Sequence, residues 1–379
     1  MKTLFITFSY LKGNRGGIYA SRTHINLFAT LSDSMTLLYP YAKGMEPEYI
    51  YEDKITVVPV EDNRSAGLKY LNLIVGRRHR FIDVARKYLD TNKYDTVVFD
   101  GSIVSSNLIK LFKSYGFRTI TLHHNYEIEY LKGDATPITK PFDLFWTKIQ
   151  EGTAVSYSDL NLTLTSQDAE LLRQNYNPKA PMEVLGVFDY WPRKILELKN
   201  KNRGSRFVIT GGLGSKQNED SLIPWLNTYF PILKEQVKNA QLILAGRSPS
   251  ERLIKVAEGF GAEVIPSPID MKPILESGDY YICPTDRGGG LKLRIMDGLK
   301  SGMPVLTHAV SARGYDEMMD KGLVFSYYDK DSFVKSLNQM LKTDFSQQYI
   351  YDCYAEKFSF NTGVKYLQKL LIKYCFING

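Results

Sequence analysis

The chain of 379 residues is longer than one hydrophobic core usually serves, so two domains are expected. Hydrophobic residues make up 44% and the net charge is +7, a balance that suits anionic substrates or an anionic membrane surface but not a nucleic-acid footprint. Three cysteines, Cys283, Cys353 and Cys375, lack metal-ligand spacing, which argues against a thiolate zinc site and for reduced thiols in a cytosol.

The opening MKTLFITFSYLKG has one lysine before a short apolar run and no small-residue cleavage site, so it reads as a first core strand, not a signal peptide. No run approaches the ~18 apolar residues that span a bilayer, so a cytoplasmic protein is expected, able to touch the inner face of a membrane. After the strand Leu4–Phe8, GNRGG (Gly13 to Gly17) gives a glycine turn into a helix. Either a plain tight turn or backbone amides offered to a phosphate or hydroxyl explains it. Met35–Tyr39 and Ile55–Pro59 read as strands. A helix is expected over 68–89, and its basic cluster Arg77, Arg78, His79 and Arg80 fits a solvated face or an anionic-lipid contact.

Thr96–Phe99 is the next strand and leads into Asp100. The strand Arg118–Leu122 ends in His123-His124, one of which is expected to present its imidazole as a hydrogen-bond donor or proton carrier, the alternative being a satisfied structural histidine. With no third ligand at a recognisable spacing, no metal is expected there. A helix over 142–157, a strand within 159–166 and a helix opened by Ser166 follow, and the basic stretch 193–206 reads as a linker.

A second strand and glycine turn then appear, Phe207–Thr210 followed by Gly211-Gly212-Leu213-Gly214, with a helix from Asp220 to Lys238 and a strand Gln241–Arg247. Two such openings suggest two Rossmann-like domains. The strand Tyr280–Cys283 runs into Gly288-Gly289-Gly290, then a helix with an apolar stripe from Leu291 to Leu299, then the strand Pro304–Leu306. Lys292 and Arg294 are placed at that helix's start, with Asp297 three positions on. The pattern reads equally as a phosphate cradle beside a sugar-hydroxyl acceptor or as a solvated face with local ion pairs. The last helix, near 361–377, is apolar on one side and is expected to pack on the first domain.

These residues resemble the GT-B nucleotide-sugar glycosyltransferases, and among them the retaining group numbered family four. RGGGLKLRIMDGLKSGMPVLTH (287–308), GGLGSKQNEDSL (211–222), LILAGRSP (242–249) and HHNYE (123–127) are similar to that group's motifs. The resemblance implies an α/β fold of two Rossmann-like domains facing each other across a cleft: 1–190 on the acceptor side, a linker at 191–205, a nucleotide-sugar domain at 206–358, and a helix at 359–379 crossing back. It implies sugar transfer from a nucleoside-diphosphate sugar to an acceptor hydroxyl with retention at C1, in polysaccharide, lipopolysaccharide or glycolipid assembly, with no metal or cofactor. Catalytic roles fall to His124, Arg294 and Lys216, and donor contacts to Gly16, Gly17, Gly212, Arg247, Gly289, Gly290, Leu291, Lys292 and Asp297. Gly289 stands where the family often has an acid for the donor sugar. A GT-B nucleotide-sugar epimerase and a decayed nucleotide-binding scaffold are the alternatives.

Overall fold

The computed structural model describes residues 1–13, 16–48, 50, 53–61, 79–134, 140–189 and 204–378. Most of the expected linker and the side chains of the Arg77–Arg80 cluster lie outside the described residues. The chain forms two compact units, residues 1–190 with 360–379, and residues 191–359.

The first unit holds a sheet of β1 (Lys2–Thr7), β2 (Ser34–Tyr41), β3 (Ile55–Glu61), β4 (Thr96–Asp100), β5 (Arg118–His123), β6 (Leu160–Thr163) and β7 (Met182–Val184). The second holds β8 (Arg206–Gly211), β9 (Gln241–Gly246), β10 (Glu263–Pro266), β11 (Tyr280–Cys283), β12 (Val305–His308) and β13 (Val324–Tyr327). Strand orders are β3-β2-β1-β4-β5-β6-β7 and β10-β9-β8-β11-β12-β13, with parallel pairing throughout. Parallel strands covered on both faces need continuous apolar runs, and Leu4-Phe5-Ile6, Val97-Val98-Phe99 and Phe207-Val208-Ile209 are fully buried. Each such side chain contributes about 2 kcal/mol of burial. In each sheet the order reverses beside the unit's first strand, β1 or β8, and the carboxyl ends of strands at such a point are where open parallel sheets hold ligands.

Helix boundaries differ from the sequence reading where the first turn is polar. Ser215 caps the helix Lys216–Gln236, which starts four residues before the expected Asp220 and so takes in Gln217 and Asn218. Thr165, not Ser166, caps Ser166–Tyr176, its hydroxyl accepting from the Asp168 amide at 3.0 Å. The helix after the triple glycine spans only Arg294–Lys300, which leaves Leu291 and Lys292 in the loop. The final helix, Phe360–Lys373, buries Leu367, Leu370 and Leu371 in the first unit's core with Phe5, Phe28 and Leu37.

Buried acids brace the loop after β5. Asp168 accepts from the Tyr126 amide at 2.9 Å, and Glu151, inside the helix Lys140–Tyr157, accepts from the Glu127 amide at 2.8 Å and the Tyr176 hydroxyl at 2.9 Å. Burial, reinforced by Glu127 and Asp168, pushes the Glu151 carboxyl up to about 8. A carboxyl raised in the fold stabilises it most below the ordinary value of 4.5, and that contribution is lost as pH rises through about 8. The melting temperature is therefore expected to fall between pH about 4.5 and about 8, and Glu151→Gln should flatten the fall. An unchanged slope in the variant would remove Glu151 as its source.

Candidate functional site

The second unit gathers a cationic site around the glycine turn after β8. Gly211 has φ +133°, and a Cβ there would lie 3.3 Å from the Arg294 guanidinium carbon. A Cβ on Gly212 would lie 3.7 Å from Arg247 Nη2. Two guanidinium groups thus flank a bare stretch of backbone that a side chain would fill. Asn218 fixes one of them: its Nδ2 donates to Gly212 O at 2.7 Å, and its Oδ1 accepts from Arg294 Nη2 at 2.8 Å. Arg294 Nη1 is buried and has no hydrogen-bond partner among the described residues. An unsatisfied buried N–H on a cation is costly, and an anion lying along the glycine turn relieves it. The amino end of the 21-residue helix Lys216–Gln236 abuts the same turn and adds its dipole.

The triple-glycine loop is tied to this site from below. Gly288 has φ +82°, and a Cβ on it would meet Gln217 Nε2 at 2.0 Å. Gln217 Nε2 donates to Arg287 O at 2.7 Å, Lys292 Nζ to Gly289 O at 3.0 Å, and the Tyr315 hydroxyl to Lys292 O at 3.0 Å. Lys292 therefore closes the loop instead of opening a helix, which corrects its expected position. Gly289 and Gly290 are buried, Leu291 and Asp297 are half-buried, and Lys216 is exposed on the first turn of its helix. Asp297 lies close enough to the buried Tyr281 to add its charge to the burial that raises the Tyr281 phenol. Among the described residues the structure thus draws Gly212, Arg247, Gly289, Lys292 and Arg294 around one turn. Gln217 and Asn218 join them, and the sequence reading gave neither a role. A polar pair in the first turn of a helix capped by Ser215 is the available signal.

The first unit carries a second polar cluster at the ends of β1, β4 and β5. His124 Nε2 donates to Asp100 Oδ1 at 2.6 Å, and the Thr7 hydroxyl donates to Asp100 Oδ2 at 2.7 Å. Burial works against the Asp100 charge, but His124 and the Ser21 and Thr7 hydroxyls overcome it and hold the carboxyl down at about 2. Burial also opposes the His124 cation, and Asp100 outweighs it, so His124 is raised above 6.5. His123 is a different case. It is fully buried, its Nδ1 accepts from the Ser102 hydroxyl at 2.8 Å and its Nε2 donates to Asn161 Oδ1 at 2.8 Å, and burial drops it to about 4. His123 is the satisfied structural histidine, and His124 is the one with a charged partner.

His24 went unread in the sequence. It lies inside the helix Gly16–Thr30, its Nε2 donates to Gly186 O at 2.9 Å, and its ring meets that of His124 at 5.8 Å. Nδ1 is buried with no partner among the described residues, and burial together with the His124 charge brings His24 to about 4. His24, Asp100 and His124 each offer a ligand atom within 4.8 Å of the others, the one grouping of a kind that can hold a metal ion found among the described residues. The 2.6 Å separation of His124 and Asp100 is that of a charge-assisted hydrogen bond, shorter than two ligands of one metal normally stand. Gly16 and Gly17 open the same helix and are exposed, with nothing within 4 Å of where a Gly17 Cβ would stand.

The His124–Asp100 pair has a defined pH window. The raised His124 contributes stability that is complete below 6.5 and lost as pH rises through its folded value, while Asp100 contributes above 3.8 and loses that contribution as pH falls toward about 2. By NMR, the His124 imidazole is expected to titrate above 6.5, and Asp100→Asn should bring it below 6.5 because burial, the largest influence, is then opposed only by the weaker pull of Glu127. A midpoint indifferent to Asp100→Asn would refute the pairing.

Comparison with known proteins adds to this geometry. Residues 204–343 match the family model described as glycosyl transferases group 1. An uncharacterized 44.6 kDa protein in the cps region of Klebsiella pneumoniae is 23% identical over 262 residues, 65% of this chain, and the chain spans 64% of the length of that curated relative. The lipopolysaccharide outer core galactosyltransferase WaaB superposes with a TM-score of 0.70 at 14% identity, covering 98% of this chain and 99% of WaaB. HepE of Anabaena in complex with UDP superposes with a TM-score of 0.66 at 13% identity, over 98% of this chain and 100% of HepE. No helix among the described residues is long and apolar enough to cross a membrane. Residues 204–343 are thus similar to the glycosyl transferases group 1 family model, and the chain as a whole has the GT-B fold.

Proposed function

We propose that the protein transfers a sugar from a nucleoside-diphosphate sugar to an acceptor hydroxyl, with retention at C1, in the assembly of a bacterial-type polysaccharide, lipopolysaccharide or glycolipid. The observation that carries the reading is the buried Nη1 of Arg294, without a partner among the described residues, against the bare backbone of Gly211 and Gly212. That HepE is solved with UDP, and with UDP and glucose, supports a diphosphate there, and the relatives in lipopolysaccharide and cps contexts support the product class.

In this reading charge builds on the leaving diphosphate as the C1–oxygen bond breaks. Arg294, Arg247 and Lys216, with the helix amino end, stabilise that charge without a metal or cofactor. Backbone amides of Gly212, Gly289 and Gly290 bind the donor beside Leu291 and Lys292, and Asp297 accepts from its ribose hydroxyls. Gly16, Gly17 and His124 are assigned to the transferred sugar and the acceptor, and the leaving phosphate takes the acceptor's proton. The acceptor is a carbohydrate or a lipid-linked sugar, met at the cytoplasmic face of a membrane. A thermal-shift screen over nucleoside diphosphates and their sugars tests the donor site, with a shift of several degrees expected for one base. Absence of any shift would refute the reading. Binding without transfer to any acceptor would favour a scaffold, and isomerisation of the donor alone an epimerase.

A further inference from the structure

The helix Lys140–Tyr157 is apolar on two sides. Its inner side, with Thr147, Glu151, Ala154 and Val155, is buried in the first unit. Its outer side shows Phe142, Phe145, Ile149 and Tyr157, which are 43%, 60%, 44% and 45% exposed. At 100° per residue these four and Trp146 fall within a stripe of roughly 120°. The rings form one cluster, Phe142 and Phe145 standing with centroids 6.1 and 5.9 Å from that of Trp146. Beside them is an open groove of about 430 Å³ lined by Phe145, Lys148, Ile149, Gly152, Tyr157 and Tyr176. Gly152 keeps that groove open, since a Cβ there would press on the Tyr176 ring at 3.0 Å.

Core packing does not account for this outer stripe, because the same helix already buries its opposite side. A contiguous exposed aromatic patch of this kind marks a docking surface. The charge at its rim identifies the partner. Lys148 is exposed in the groove, and Lys110 Nζ stands 5.0 Å over the Tyr157 ring. Neither lysine has a carboxylate at ion-pair distance among the described residues. On the helix itself Asp143 is the acid that is not buried, Glu151 lying on the inner side. Phenylalanine and tryptophan rings with flanking lysines are the composition of a face that sinks to the boundary of headgroups and acyl chains. A second copy of the chain, by contrast, would bring like-charged lysines together across a self-complementary contact.

We propose that this face docks on an anionic membrane surface, with Phe142, Phe145, Trp146 and Ile149 entering the interface and Lys110 and Lys148 meeting lipid phosphates. The proposal gives the lipid-linked acceptor of the preceding section a place to be met, and it rests on that reading for its purpose but not for its test.

The test is co-sedimentation of the full chain with phosphatidylcholine vesicles, with and without roughly a third phosphatidylglycerol. Binding to the anionic vesicles is expected to be at least ~10-fold tighter than to the neutral ones and to weaken with salt. The double variant Phe145→Ser, Ile149→Ser should lose it about tenfold, and Lys110→Glu with Lys148→Glu should remove the preference for anionic lipid. Tryptophan emission should shift to the blue on anionic vesicles in the native chain and far less in Trp146→Phe. All these side chains are at the surface, so circular dichroism should show each variant folded. Vesicle binding that is absent, or unmoved by the Phe145 and Ile149 changes, would overturn the proposal. So would a dimer in analytical ultracentrifugation that those changes dissociate, since the face would then join two copies. No donor or acceptor is used, so a failure here leaves the nucleotide thermal shift intact, and a missing nucleotide shift leaves vesicle binding intact.

Discussion

Arg294→Ala is expected to lower kcat/KM for sugar transfer by ~10²-fold or more, about 3 kcal/mol, with little loss of stability. The two parts of that expectation come from the same side chain. Nη2 is held by Asn218 while Nη1 is buried with no partner among the described residues, so removing the side chain relieves one penalty as it breaks one hydrogen bond. An anion is what the vacant N–H is positioned for, and a leaving diphosphate gains more negative charge in the transition state than it has in the bound donor. Arg294→Lys keeps the charge but not the planar fork that bonds Asn218 and the anion together, so it should recover only part of the activity. Asn218→Ala, which frees the guanidinium to rotate, should fall between wild type and Arg294→Ala. Steady-state kinetics and the nucleotide thermal shift check all three, and near-normal turnover in Arg294→Ala would sink the assignment.

Gly246→Ala is expected to destabilise the second unit by about 3 kcal/mol and to abolish the nucleotide thermal shift. A Cβ on Gly246 would lie 1.8 Å from Gly211 O and 2.8 Å from Gly211 C, and both are backbone atoms that cannot swing aside. These two residues face each other in the β8–β9 pair, and the Arg247 amide donates to the same Gly211 oxygen at 3.0 Å. A single methyl therefore pushes apart the strand ends from which the glycine turn and Arg247 project. Gly259→Ala is the matching control, because nothing lies within 4 Å of its added Cβ, and it should stay near wild type. Denaturant unfolding separates the two, and a wild-type midpoint for Gly246→Ala would contradict the packing.

The parts of the fold legible in the sequence are those where one local rule dominates. Buried parallel strands appear as unbroken apolar runs, so β1, β4, β8 and β11 could be read directly, and the glycine turns marked where the chain leaves them. Boundaries failed where the first helical turn is polar: Lys216, Gln217 and Asn218 carry no apolar period, and only the Ser215 cap reveals that they are helical. β13 went unread because Val324–Tyr327 is four residues long at the sheet edge and buries only its two end residues, so it shows neither an unbroken apolar run nor a period of two. The cationic site was half legible. Arg294 and Arg247 stood out by type, but the role of Asn218 depends on a contact 76 positions away. His24 was hidden for the same reason, its partner Gly186 lying 162 positions on, and its helix buries Ser21, Arg22, Thr23 and Asn26 where an amphipathic pattern would put apolar residues.

The helix Phe360–Lys373 bears on how the chain is made. Leu367, Leu370, Leu371 and Phe376 complete a core that begins at Phe5, and Gly363 has no side chain because the Phe188 ring lies 2.5 Å from where its Cβ would stand. A ribosome therefore releases the whole second unit before it delivers the segment that seals the first, so the unit synthesised earliest is the last able to reach its final packing.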